Sequence, residues 1–297
     1  MPEPVARASS TARTPVAALE GYDARGFAVV ENLLSPAEVR EIREEAVDVF
    51  RGERGAVEGI LPIPAGAPEA EVLKNYNAIH FPHKLSPLIG RTMRHPKLVD
   101  ALTRLVSPNV KCMQSMLFVK APGKPGQSWH QDEYYIPTRD RSLTGAWIAL
   151  EDATVENGCL WVVPGSQREG YIRRRVKYVG DEYADVDICD LAPFTERDQV
   201  PVEVSSGSVV FFNGYLLHSS LRNRSRESFR LALVFHYMSA ESMLPWDNDG
   251  RFPPTEDLRD VVLVAGTDPY AHKGLVSVTR PFLRGDVMRH KVAPEAL

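Results

Sequence analysis

The chain has 297 residues, of which 43% are hydrophobic and 25% are charged, as is usual for a globular protein. Its formal net charge of −4 offers no positive surplus to neutralise a phosphate backbone, so we expect no nucleic-acid partner. Cys112, Cys159 and Cys189 show no paired spacing, which predicts three buried thiols in a cytoplasmic protein rather than a disulfide framework. No apolar run reaches the roughly 18 residues of a membrane span, so we expect no membrane partner either.

The first hundred residues predict a tail followed by helices. Residues 1–20 are rich in Ala, Ser, Thr and Pro without the apolar centre of a signal peptide, and we expect a disordered tail before a single domain over 21–297. A short strand is predicted over 26–31. Ser35, Pro36 and Glu38 form a helix-start signature, and apolar residues at helical spacing follow it. A second helix is predicted from about 96 to 106.

From residue 110 onward, short runs rich in β-branched and aromatic residues alternate with Gly and Pro turns. This texture predicts a mainly β domain, a sandwich or barrel with the helices packed outside it. The predicted strands are 110–120, 128–136, 144–151, 159–163, 208–212 and 230–237. The charged segment 168–200 is predicted to be a long insertion, either a lid or a disordered loop, and a late loop around Trp246 is a candidate cover of the site.

A His-x-Asp pair lies in the second of these strands. His130 and Asp132 are two residues apart, so on a strand they point to the same side, roughly 7 Å apart along the chain. His218, just after a later strand and turn, is the best candidate for a second imidazole. Two imidazoles and one carboxylate form the facial triad of iron(II) oxygenases, which leaves three metal positions for a 2-oxo acid and dioxygen. The rival histidines are His80, His83, His95, His236, His272 and His290.

Several motifs follow one another in an order that is difficult to reach by chance. They are Met113-Gln114-Ser115-Met116, Trp129-His130-Gln131-Asp132, the 145–153 stretch, Asn157-Gly158-Cys159-Leu160, Pro164-Gly165-Ser166 and His218-Ser219-Ser220. In these motifs the chain resembles the phytanoyl-CoA dioxygenase family of 2-oxoglutarate oxygenases, over roughly residues 21–239. The resemblance implies a double-stranded β-helix, a cupin-like jelly roll, with iron(II), 2-oxoglutarate and dioxygen as reactants.

The resemblance also implies a pocket for 2-oxoglutarate. Arg230 would pair with the distal carboxylate, assisted by Ser220, and the remaining candidates are Trp147, Met116, Gln114 and Lys74. Arg230 has independent support, because it opens a strand whose other face is apolar, and an arginine inside a barrel is costly unless it is paired. A guanidinium matches a carboxylate with two parallel hydrogen bonds. Its rivals in the preceding polar turn are Arg222, Arg224 and Arg226.

These features favour a dioxygenase that hydroxylates an unactivated C–H bond of a small molecule and releases succinate and CO2. Two alternatives stay open: a jelly-roll metalloenzyme that does not use 2-oxoglutarate, and a non-catalytic binding protein of the same fold. The residues that follow the metal motif are predicted either to edge the substrate cavity or to form a solvated loop. They are Tyr134, Tyr135, Ile136, Arg139 and Arg141.

Overall fold

A computed structural model describes residues 13–64, 66–243, 261–274 and 279–284. The α-helices are α1 Val16–Leu19, α2 Tyr22–Arg25, α3 Pro36–Arg51, α4 Glu69–Leu73, α5 Pro87–Thr92 and α6 Pro96–Leu105. The first strands are β1 Phe27–Val30, β2 Ala78–His80, β3 Val110–Lys120, β4 Gln127–His130, β5 Thr144–Ala149, β6 Leu160–Val162 and β7 Arg175–Lys177. The later strands are β8 Asp187–Cys189, β9 Val200–Val202, β10 Val209–Asn213, β11 His218–Ser220, β12 Arg230–Ser239, β13 Val262–Ala265 and β14 Phe282–Leu283.

Two antiparallel sheets face each other. The larger has the order β1-β10-β5-β12-β3-β2-β14, with β13 also paired to β3, and the smaller has the order β4-β11-β6-β9. Strands that are distant in sequence are neighbours in both sheets, as expected for a double-stranded β-helix. The predicted jelly roll with flanking helices is therefore confirmed.

Strand β12 shows how the larger sheet divides the core. Leu231, Leu233, Phe235 and Tyr237 are fully buried on its outer face, in one cluster with the apolar face of α3. Ala232 and Val234 alternate with them and join a second cluster between the sheets. A large apolar side chain buried in this way contributes about 1.5–3 kcal/mol, so the outer face is the main source of stability.

Helix α3 begins where the sequence predicts. The Ser35 hydroxyl accepts the Glu38 backbone N–H, and the Glu38 carboxylate accepts the Ser35 N–H at 2.8 Å, which completes a capping box. Gly52 ends the helix at a φ of 78°, in the left-handed region that glycine tolerates. The start and the end of α3 are thus set by local sequence signals.

The predicted tail over 1–20 extends too far along the chain. Thr14 is buried, its N–H donates to the Asp100 carboxylate at 2.9 Å, and its hydroxyl donates to the Lys97 carbonyl at 2.8 Å. Leu19 of α1 joins the core. The hydrogen-bond partners of Thr14 lie more than eighty positions away, so no local pattern announces them. Residues 1–12 and the loop around Trp246 lie outside the described residues.

The predicted strand over 128–136 is also wrong at its end. Strand β4 stops at His130, and a 3-10 helix occupies Asp132–Tyr134. The Tyr134 N–H donates to the Gln131 carbonyl at 3.1 Å and the Tyr135 N–H to the Asp132 carbonyl at 2.9 Å. Because these bonds are local, they turn the chain away from the sheet directly after the metal motif.

The 168–200 segment covers the smaller sheet on its outside. Tyr183 and Cys189 pack there against Trp129, Val163 and Leu217. Strands β7 and β8 form a separate hairpin within it. The segment therefore has its own packed structure, whereas its movement as a lid stays a prediction. All three cysteines are buried free thiols, as predicted.

Candidate active site

The two metal-ligand histidines meet across the smaller sheet. His130 ends β4, His218 begins β11, and the two are register partners with ring centroids 4.1 Å apart. Gly126 makes this pairing possible, because a Cβ atom there would lie 1.8 Å from the Ser220 carbonyl oxygen. The sheet thus brings together two residues that are 88 positions apart in the sequence.

Each imidazole is held by the backbone carbonyl two residues before it. His130 Nδ1 lies 2.7 Å from the Ser128 carbonyl oxygen and His218 Nδ1 lies 2.9 Å from the Leu216 carbonyl oxygen. A carbonyl only accepts hydrogen bonds, so both Nδ1 atoms carry the proton. With Nδ1 occupied, each ring has Nε2 left to coordinate a metal, which is the arrangement found in metal-binding histidines. The His130 Nε2 also lies 3.0 Å from the side-chain amide nitrogen of Gln127.

Asp132 supplies the carboxylate. Its Oδ1 lies 3.5 Å from His130 Nε2 and 3.6 Å from His218 Nε2, and the three ligand atoms lie within 4.8 Å of one another. All three residues are buried. Among the described residues, this is the only group of three such side chains close enough to share a metal ion. Two imidazoles and one carboxylate are the donor set that suits iron(II), so the residues fit the predicted metal.

His236 reaches this carboxylate from the opposite sheet. Its Nε2 lies 3.1 Å from Asp132 Oδ2, the oxygen that faces away from the two ligand histidines. A ligand carboxylate fixed in this way keeps its orientation, so His236 is a positioning residue. We expected it only as a rival ligand, although the alternation of β12 already placed it on the same face as Arg230.

The protonation states favour metal binding. Burial, together with the nearby His218, lowers the pKa of His130 to about 3. Burial acts to raise the pKa of Asp132, but the charges of His218 and His236 outweigh it and hold that pKa below its ordinary value. At neutral pH the site therefore presents a neutral imidazole and an ionised carboxylate, the forms that coordinate metals.

A cavity of about 920 Å³ connects the metal ligands to Arg230. Arg230 is buried, and its guanidinium lies 5.6 Å from the centre of the Trp147 ring. Burial lowers its pKa to about 10, so it remains positively charged at neutral pH. Arg230 Nε is buried without a hydrogen-bond partner. A buried cation with an unused donor, facing the metal cavity, is suited to receive an acidic ligand.

Lys120 is the residue beside Arg230 that sequence reasoning missed. The two are register partners on β3 and β12, and Lys120 is also buried. Its ammonium donates to the Ser220 hydroxyl at 2.8 Å and to the carbonyls of Gly158 and Leu221. Ser220 therefore accepts from Lys120, and its own proton is directed elsewhere. The alternation of β3, which includes Met116 and Lys120, was the available signal.

Of the other residues predicted for the pocket, four line the cavity and Lys74 does not. Met116, Gln114, Trp147 and Ser220 all line the cavity. The Gln114 amide also bonds His80 Nδ1 at 3.0 Å. Lys74 does not belong to the site, because it follows α4, pairs with Glu71 and is half exposed. Its assignment was wrong because it relied on a loose match of motifs in a region of loops.

The predicted rim is confirmed in part. Tyr134, Tyr135 and Ile136 line the cavity, whereas Arg139 and Arg141 are not among its described lining residues. The other rival histidines lie apart from the two metal-ligand imidazoles. His80 stacks on Phe282, His83 bonds Ser115, His95 pairs with Glu38, and His272 lies in a 3-10 helix, while His290 is outside the described residues.

The site and fold agree with known proteins. A family model described as phytanoyl-CoA dioxygenase (PhyH) matches residues 22–232. The chain belongs to the phytanoyl-CoA dioxygenase family. The family predicted from the motifs is thereby confirmed. Among the described residues, no helix combines the length and apolar character needed to cross a membrane.

Two curated relatives of this phytanoyl-CoA dioxygenase family member match it over different shares of their length. A phytanoyl-CoA dioxygenase of Arabidopsis thaliana is 35% identical over 57% of this chain and 59% of its own length. The phytanoyl-CoA dioxygenase 1 of Oryza sativa subsp. japonica is 30% identical over 75% of this chain and 88% of its own length. The chain therefore spans about three fifths of the Arabidopsis relative and most of the rice one.

Solved structures share the architecture. SnoK, a non-heme alpha ketoglutarate dependent carbocyclase from nogalamycin biosynthesis, superposes with a TM-score of 0.64 and 27% identity, covering 84% of this chain and 96% of its own. EctD from S. alaskensis with bound Fe gives a TM-score of 0.61 at 21% identity, covering 77% of this chain and 78% of its own. The second likeness concerns the fold alone.

Proposed function

We propose that this chain is an iron(II)- and 2-oxoglutarate-dependent dioxygenase that hydroxylates a C–H bond of a small organic molecule. The observation that carries the proposal is the pairing, in one cavity, of the His130–Asp132–His218 triad with the buried guanidinium of Arg230. The triad suits iron(II), and the guanidinium suits a carboxylate. When bound, iron(II) supplies dioxygen activation coupled to the decarboxylation of 2-oxoglutarate.

The proposed overall reaction is balanced in atoms and electrons. 2-Oxoglutarate, dioxygen and R–H give succinate, CO2 and R–OH, with one oxygen atom entering succinate and the other the product. Arg230 holds the distal carboxylate of 2-oxoglutarate, and the Ser220 hydroxyl, oriented by Lys120, donates to it. Met116 and Trp147 supply apolar walls that keep water from the reacting groups.

The residues around the triad prepare it for this chemistry. Backbone carbonyls fix both imidazoles with Nε2 toward the cavity, and His236 fixes the carboxylate. Because these contacts exist before any ligand binds, little reorganisation is needed when metal and co-substrate arrive. We expect a cytoplasmic enzyme, on the basis of its three free thiols.

The test uses the full chain loaded anaerobically with iron(II). We expect 2-oxoglutarate to bind and give the visible charge-transfer band of a chelated 2-oxo acid, and oxygen then to release succinate slowly without added substrate. Arg230→Ala should weaken 2-oxoglutarate binding by calorimetry. If the loaded wild type neither binds 2-oxoglutarate nor forms succinate, the proposal fails. Oxygen uptake that persists without 2-oxoglutarate would favour the alternative of a jelly-roll metalloenzyme that does not use 2-oxoglutarate.

A further inference from the structure

A second arginine reaches the cavity from the 168–200 segment. Arg175 begins β7 and lines the cavity together with Tyr134 and Tyr135. Its guanidinium carbon lies 5.3 Å from the centre of the Tyr134 ring and 5.7 Å from that of Tyr135, a separation typical of cation–π contacts. Its Nη2 donates to the Asp187 carbonyl at 2.8 Å, which completes a fixed orientation.

The other end of this guanidinium has no partner. Arg175 Nη1 is buried and makes no hydrogen bond. Among the described residues, no carboxylate forms an ion pair with Arg175. The nearby acids are occupied: Asp185 binds Arg284 at 3.1 Å and the Ser128 N–H at 2.7 Å, and the Asp187 carboxylate binds Lys177 at 3.0 Å. Arg175 therefore contributes an uncompensated positive charge to the cavity wall.

The position of this charge relates it to the reacting centre. The Tyr135 ring neighbours both, because its centre lies 5.7 Å from the Arg175 guanidinium carbon and 6.1 Å from the ring centre of the ligand His130. Arg175 is on the hairpin outside the smaller sheet, whereas Arg230 is on a central strand of the larger sheet. Three arginines line the cavity, and Arg284 is the one that pairs with Asp185. Of the other two, only one is needed for the distal carboxylate of 2-oxoglutarate.

We propose that Arg175, flanked by Tyr134 and Tyr135, binds an oxyanion group of the substrate, a carboxylate or a phosphate. The inference rests on the proposed function and adds the chemical class of the substrate, an organic acid. A guanidinium held on aromatic faces with one side unpaired is suited to an oxyanion. The apolar rings of the cavity, such as Phe282, suit the body of such a molecule.

The experiment compares acids with neutral counterparts. Decanoate and 4-phenylbutanoate, each beside its methyl ester, and decyl phosphate are titrated into wild type, Arg175→Gln and Arg175→Lys, all loaded with iron(II) and 2-oxoglutarate without oxygen. We expect wild type to bind an acid at least ~10-fold more tightly than its ester, and Arg175→Gln to lose that preference. Arg175→Lys should keep part of it. The ratio for decyl phosphate and decanoate identifies the preferred oxyanion.

Arg174→Gln is the matched control. It removes the same charge from the neighbouring position, where the side chain is 78% exposed and pairs with Asp190. We expect it to match wild type in every titration. The inference is overturned if Arg175→Gln keeps the acid preference, if Arg174→Gln loses it equally, or if wild type binds no acid more tightly than its neutral partner. The charge-transfer band of bound 2-oxoglutarate is recorded before any acid is added. If wild type does not show this band, the proposed function fails, and the result does not concern Arg175.

Discussion

The two sheets contribute to the same cavity in different ways. Strands β3 and β12 of the larger sheet have 11 and 10 residues, nearly all of them buried, and helices cover their outer face. Strands β4 and β11 of the smaller sheet have 4 and 3 residues, yet they carry both ligand histidines. We therefore expect that substitutions of the functional residues on the smaller sheet cost little stability. The strands of the larger sheet, by contrast, supply both stability and functional residues.

Asp132→Ala should give the largest functional effect. It removes the only carboxylate of the triad, so we expect loss of bound iron and a fall in succinate formation of at least about a thousandfold. The fold should persist, because Asp132 lies on a 3-10 turn outside the sheet. Metal analysis and thermal melting measure the two effects separately. Asp190→Ala, which removes an acid from the covering segment, should keep its iron; equal iron loss in both variants would contradict a triad-specific role.

Leu233→Ala should give the converse result on the larger sheet. Its side chain is fully buried against the helices, so the substitution should lower the free energy of unfolding by about 2–5 kcal/mol. Folded molecules should still bind one iron each. Urea unfolding and metal analysis of the folded fraction check this. An iron loss as severe as that of Asp132→Ala, at unchanged stability, would contradict the division between the sheets.

Arg230→Gln tests a residue of the larger sheet that we expect to bind a ligand. We expect a rise of about 100-fold in the KM for 2-oxoglutarate, since one charged hydrogen-bonding partner is lost from a buried site. Iron binding should change little. Arg230→Lys keeps the charge but not the two parallel N–H donors of the guanidinium. Its KM for 2-oxoglutarate should lie between those of wild type and Arg230→Gln. A KM unchanged in Arg230→Gln would remove Arg230 from the co-substrate pocket.

His236→Leu should give the smallest effect of the four. It removes the hydrogen bond that orients Asp132, so we expect iron affinity to fall by about 10–100-fold while all three ligands remain. His236→Gln, which keeps an N–H donor, should restore part of that affinity. Competition with a metal chelator measures it. Wild-type affinity in His236→Leu would show that the carboxylate is oriented without help from the larger sheet.

The sequence predicted those parts that depend on local patterns. The capping box set the start of α3 and alternation placed Arg230 inside the barrel. The His-x-Asp spacing, with a histidine just after a later strand, identified the triad. The sequence did not predict features that depend on long-range contacts. Thr14 hydrogen-bonds to α6, and Lys120 hydrogen-bonds to Ser220, which lies one hundred positions away. Asp132 was assigned to the correct side although its strand had already ended. Arg175 carried no signal, because its role comes from tyrosines forty positions earlier.

The hydrogen bonds that anchor the two imidazoles have a consequence for protein engineering. In both Ser128-Trp129-His130 and Leu216-Leu217-His218, the ring is anchored to the carbonyl two positions before it. One hydrogen bond that orients each ring is thus contained within three consecutive residues. Such a tripeptide could be grafted onto another pair of antiparallel strands and retain its metal-facing nitrogen, so the unit is portable between scaffolds. A designer would then need to supply only the strand register and the carboxylate.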